Sequence, residues 1–167
     1  MTTKEINRRF FIRTAATSSI IALIPSIKSI GQNQQRPDPL KPDLVKDFVT
    51  KGHNDFEGVK KLLEDTPGVL NATWDWGGGD FETALGGAGH MGRTDIADFL
   101  LTKGARMDIF IAAMLGKLDV VKSIVEAYPD VLKSKGPHGI TLLFHAEKGG
   151  EKSLHVLEFL KSKGLTK

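Results

Sequence analysis

The chain has 167 residues, 40% hydrophobic and 26% charged, enough to bury one domain core and too apolar for a disordered chain. It has no cysteine, which excludes disulfides, thiolate metal sites, thiol nucleophiles and a lipid-modified cysteine. The formal net charge of +3 belongs to residues 1–31, where Lys4, Arg8, Arg9, Arg13 and Lys28 face the single acid Glu5; the remainder is nearly balanced, and bulk charge gives no case for nucleic acid.

The first segment reads Asn7-Arg8-Arg9-Phe10-Phe11-Ile12-Arg13, followed by a mildly apolar stretch over 14–27. A basic head before about 7–15 apolar residues is a secretory layout, too short for a membrane span of about 20. Arg8, Arg9 and Phe11 match the bacterial twin-arginine export signal, which the segment resembles. That resemblance implies export across the inner membrane and a periplasmic or other extracytoplasmic location. Residues 1–31 are therefore read as the signal peptide and residues 32–42, with Pro37, Pro39 and Pro42, as an extended linker.

From residue 43 to 167 the chain repeats itself. Each unit pairs a short apolar helix with a second helix carrying aliphatic residues at i, i+3 and i+4: Val59/Leu62/Leu63, Ile96/Phe99/Leu100, Val121/Ile124/Val125 and Val156/Phe159/Leu160. A longer period overlies these units. Pro67-Gly68-Val69-Leu70 recurs as Pro129-Asp130-Val131-Leu132, and Phe99-Leu100 with Lys103-Gly104 recurs as Phe159-Leu160 with Lys163-Gly164. The array reads as two copies of a two-unit block.

Thr83, Leu85, Ala88, Gly92, Ile96, Leu100, Leu101, Gly104 and Ala105 fall on the frame of the ankyrin repeat, which this region resembles. Gly139, Thr141, Leu143, Ala146, Gly150, Val156, Leu157, Leu160 and Gly164 do so again, after a two-residue expansion following Gly150. No unit keeps the family's Pro-Leu-His piece. The resemblance implies an all-α solenoid of about four helix-turn-helix units. Small inner-helix residues such as Ala88, Ala112, Ala113 and Ala146 suit close stacking, and glycines at the ends of the first helices suit left-handed backbone.

Residues 87–92 satisfy G-x-G-x-x-G, but a dinucleotide site needs a preceding strand and a glycine loop opening a helix. The preceding residues 80–85 are expected to start a repeat helix, which makes the run structural. His53, His90, His138, His145 and His155 show no metal-ligand spacing and are expected as exposed or packed repeat residues. No nucleophile turn is present, so no catalytic residue, metal or cofactor is predicted.

One segment, Thr73-Trp74-Asp75-Trp76-Gly77-Gly78-Gly79-Asp80-Phe81-Glu82, lies where an ankyrin unit has its protruding turn and holds both tryptophans. In an extended arm Trp74 and Trp76 share a face. They either seal the first helix pair or meet a partner, where tryptophan is enriched among hot-spot residues. Trp74, Asp75, Trp76 and Asp80, with Arg106, Asp108 and His138 on the same inter-repeat edge, are the candidate partner-binding residues; the inner-helix residues His90, Met114 and His145 are the alternative surface. The short third unit leaves little room for a full turn at 106–109. The expected function is non-catalytic binding of another protein; the alternative is an accessory subunit or small-ligand binder serving a periplasmic enzyme.

Overall fold

Four helix pairs follow one another along the chain. The structure, a computed structural model, describes residues 37–166; the expected export signal with Arg8, Arg9 and Phe11, and the expected linker up to residue 36, lie outside the described residues. Helices α1 (Pro42–Gly52) and α2 (Phe56–Asp65) make the first pair, α3 (Ala84–Met91) and α4 (Thr94–Thr102) the second, α5 (Ile109–Met114) and α6 (Leu118–Ala127) the third, and α7 (Leu142–Lys148) and α8 (Leu154–Ser162) the fourth. Among the described residues 65% are helical, as the expected all-α class requires.

Local chemistry sets the starts and stops. Asp55, Thr83, Asp108 and Thr141 accept N-cap hydrogen bonds at 2.9–3.1 Å from Gly58, Gly86, Ile111 and Phe144, satisfying donors that the first turn of a helix leaves free. Gly92 ends α3 at φ 71°, where a Cβ would also lie 2.7 Å from the Lys148 carbonyl oxygen of the fourth pair. The 62-residue recurrence is geometric as well. Pro67–Val69 and Pro129–Lys133 are both 3-10 turns, entered through Thr66 and Tyr128 with nearly equal backbone angles.

First helices pack in a row, α1 on α3, α3 on α5 and α5 on α7, while α2 rests on α4 and α6 on α8. Because α5 has only six residues, α3 also reaches α7. The small residues do what close stacking needs: Ala88, Ala112, Ala113 and Ala146 are all buried. Apolar side chains gather in two clusters, one around Phe48, Val59, Ile96 and Leu100, the other around Val121, Val125, Leu142, Val156 and Leu160. The two-residue expansion becomes a 3-10 turn, Gly150–Ser153, tied back by the Ser153 hydroxyl donating to the Ala146 carbonyl.

One local expectation is corrected. The helix expected to start over residues 80–85 starts only at Ala84: strand β2 (Phe81–Thr83) pairs antiparallel with β1 (Thr73–Asp75), and α3 follows it directly. Thr83 must be extended, at φ −103° and ψ 163°, for its hydroxyl to cap α3. The glycine run of residues 87–92 lies inside α3 and at its end, opening no phosphate loop. The equivalent turn before α7 is shorter, reduced to one bridge between Lys135 and Thr141 and a 3-10 turn at Pro137–Gly139. Among the described residues the third pair has no hairpin; α5 follows directly from residues 105–108.

Candidate functional site

Alternation along β1 and β2 sorts the hairpin into two faces. Trp74 stands opposite Glu82, and Asp75 opposite Phe81. Asp75 and Phe81 point outward, Phe81 being 61% exposed, whereas Glu82 is 1% exposed and turned toward the stack. Trp74 is half-buried beneath the Lys46 ammonium, 5.6 Å from its ring centre. The loop between the strands is held by the Asp75 carboxylate, which accepts from the backbone N–H of Gly77 and Gly79.

Around Glu82 the fold assembles a group that no local spacing announces. His90 Nε2 lies 2.8 Å from Glu82 Oε1; His53 Nε2 and His138 Nε2 each lie 3.4 Å from Oε2, and the Trp76 indole N–H donates to Oε2 at 2.7 Å. His53 stands just after α1, Glu82 on β2, His90 in α3 and His138 in the turn before α7. Their donor atoms all lie within 4.8 Å of one another. Three imidazoles and one carboxylate form a mixed nitrogen and oxygen donor set, of the kind borderline divalent cations accept.

The glycines of α3 make this approach possible. A Cβ on Gly87 would lie 2.8 Å from the His53 ring, and one on Gly86 would lie 3.3 Å from Glu82 Cγ. Each helical glycine costs about 1 kcal/mol relative to alanine, so the sequence gives up helix stability where the rings and the carboxylate lie on the backbone.

Outer partners hold the group in place. His53 Nδ1 lies 3.1 Å from both the Val49 and Thr50 carbonyl oxygens. Asp80 accepts from the His138 backbone N–H at 2.8 Å and from His138 Nδ1 at 2.8 Å. His138 itself has φ 59°, a left-handed conformation uncommon outside glycine. The hydrogen bond from the His138 backbone, with the ring beside it, holds the Asp80 carboxyl below its usual range. Burial pushes the Glu82 carboxyl up, but the hydrogen bonds from His90 and Trp76 and the nearby imidazoles outweigh it, and the net direction is down. Behind His90, His145 is fully buried, with Nδ1 on the Thr141 carbonyl and Nε2 without a protein partner; burial pushes its pKa down.

Beside the cluster runs a groove of about 310 Å³, lined by Asp80, Phe81, Asp108, Phe110, Lys135 and Pro137 among others. It exists because the third pair brings no turn of its own: the hairpin and the 135–139 turn reach toward each other over the start of α5.

Of the residues singled out in the sequence, Trp76, Asp80 and His138 come together at the cluster, and Asp108 lines the groove. Trp74 and Asp75 lie further along the hairpin. Arg106 is exposed, its backbone N–H donating to the Asn71 side chain, and it does not join the site. His53 and Glu82 are not among the candidate binding residues, and His90 belongs only to the alternative inner-helix surface. Three of the five histidines prove to be neighbours rather than scattered repeat positions. His145, packed in α7, and His155, paired on the surface with Glu158, are the packed and exposed repeat residues expected. The signal that could have found them is the repeat itself, since turns before equivalent helices in a stack are brought to one edge. No protein-family model matches the chain, and no curated protein matches it.

Proposed function

We propose that the chain is an exported, non-catalytic binding module of the ankyrin-repeat kind, recognising another protein along the edge made by the β1–β2 hairpin and the 135–139 turn. Paired helices stacked in two layers, with turns projecting from one edge, support the repeat assignment. The twin-arginine resemblance around Arg8, Arg9 and Phe11 supports export. The observation that carries the recognition surface is the rim of the groove, where Phe81 is 61% exposed beside the charged Asp80, Asp108 and Lys135, with Trp76, 37% exposed, on the same hairpin. Aromatic anchors ringed by polar groups are the composition of interface hot spots.

The test is capture of a partner from a periplasmic extract by the immobilised full chain. Phe81→Asp and Lys135→Glu lie on the rim and outside the histidine cluster, and each is expected to weaken capture. Equal capture by both variants removes this surface. Export is tested by replacing Arg8 and Arg9 with lysine, which is expected to leave a reporter fusion in the cytoplasm. A second reading, a small polar ligand, is favoured by the groove volume of about 310 Å³, at the lower end of small-molecule sites of about 300–1,000 Å³.

A further inference from the structure

We propose that His53, Glu82, His90 and His138 form a binding site for one divalent transition-metal ion of the zinc class. This goes beyond the recognition reading above and does not depend on it.

Outer partners fix the Nδ1 protons of two of the rings. Carbonyl oxygens only accept, so His53 Nδ1, 3.1 Å from the Val49 and Thr50 carbonyls, carries the hydrogen. His138 Nδ1, 2.8 Å from the Asp80 carboxylate, carries one for the same reason. With each Nδ1 committed, both rings turn Nε2 on the same oxygen, Glu82 Oε2, at 3.4 Å, and a nitrogen lone pair faces a carboxylate there only with a cation between them.

The spacing suits a metal ion. Nitrogen and oxygen ligands bound to tetrahedral zinc at about 2.0–2.1 Å stand about 3.3 Å apart. Three imidazoles favour zinc, copper or nickel, whereas magnesium and calcium prefer all-oxygen cages. The outer shell is that of a metal centre. Two ligand rings are tied through Nδ1 to a carbonyl or a carboxylate, and the ligand carboxylate accepts a further N–H from Trp76. Glu82 and His90 form the buried floor, while the His53 and His138 side chains are 20% and 34% exposed, so an ion enters from their side.

The experiment is calorimetric titration of the chelator-stripped full chain with zinc chloride, with cobalt(II) as the spectroscopic probe. One ion per chain is expected, unaffected by millimolar magnesium, with cobalt giving the visible bands of a four-coordinate nitrogen and oxygen site. Glu82→Gln and His138→Gln are each expected to weaken zinc by at least about tenfold. His155→Gln, remote from the cluster, is expected to change nothing. His138 lies in an exposed turn, so its variant remains informative should the Glu82 variant fail to fold. Absence of zinc binding means that protons alone bridge the cluster and overturns the proposal. So does one-to-one binding that His138→Gln leaves intact. Phe81→Asp and Lys135→Glu are expected to keep full zinc affinity, so loss of partner capture and loss of metal are separable outcomes.

Discussion

Gly87 shows what one missing Cβ does. On an exposed helix a Gly→Ala change is worth about 1 kcal/mol of stability. Here the added carbon would lie 2.8 Å from the Nδ1 and Cε1 atoms of the His53 ring, whose Nδ1 is itself tethered to two carbonyls. Overpacking of this kind costs roughly 1–3 kcal/mol. Gly87→Ala is therefore expected to lower the thermal midpoint followed by circular dichroism, the reverse of the helix-propensity effect. A second residue-scale device is Arg93, whose guanidinium grips both Asp95 oxygens at 2.7–2.9 Å and donates to the Asn54 carbonyl at 2.6 Å, joining the second pair to the first. The hydrogen bond from Arg93 lowers the Asp95 pKa from its ordinary 3.8. A carboxyl depressed in the folded state stabilises above its unfolded pKa and loses that contribution as pH falls. Asp95 is half exposed, so the amount is no more than about 1 kcal/mol. Urea melts of Asp95→Asn are expected to differ from the parent at pH 6, and the difference to shrink as pH is lowered below the ordinary carboxyl value of 3.8.

At the scale of elements, the hairpin is held by its own turn chemistry. Gly77, Gly78 and Gly79 all have positive φ, at 131°, 67° and 90°. Gly78 lies in the left-handed well, which alanine enters at about 1–2 kcal/mol with open space around it. Gly77 lies well outside that well and donates to Asp75. Gly77→Ala is thus expected to disturb the hairpin more than Gly78→Ala, read as a larger change in tryptophan emission through Trp76. Much of this level was legible in the chain. The paired aliphatics marked the second helices, the small residues marked the stacked face, and the Trp-Gly run marked a projecting turn. The strand before α3 was not legible, because the extended angles of Thr83 follow from capping rather than from periodicity. The site was legible only in part. Trp76, Asp80 and His138 fell on the expected edge, but His53, Glu82 and His90 join them through stacking and have no sequence spacing to show it. The decisive step is the third pair's missing turn, which lets the Pro137–Gly139 turn reach the hairpin.

For the whole molecule, α5 is the joint. Ile111 and Met114 belong to the first apolar cluster, while Ile109, Ala112 and Ala113 belong to the second. A six-residue helix thus couples two halves of the stack. In repeat architectures stability is close to a sum of unit and neighbour terms, so weakening one interface separates the sides. Met114 is fully buried, and truncating it costs about 2–5 kcal/mol. Met114→Ala is expected to broaden urea unfolding and lower its apparent m-value, beyond moving the midpoint.

The bond between Asp80 and His138 spans 58 residues and passes over the third pair. A stack with neighbour contacts alone behaves as a zipper and frays from its ends. Together with the packing of α3 on α7, this contact turns part of the zipper into a closed ring, since releasing the fourth pair also breaks a bond of the second. Ring closure costs entropy that grows only slowly with length, so one clasp can bind distant turns into a single cooperative event. The cluster draws its side chains from the first pair, the second pair and the turn that opens the fourth, so its completion reports that these three distant parts of the chain are in register.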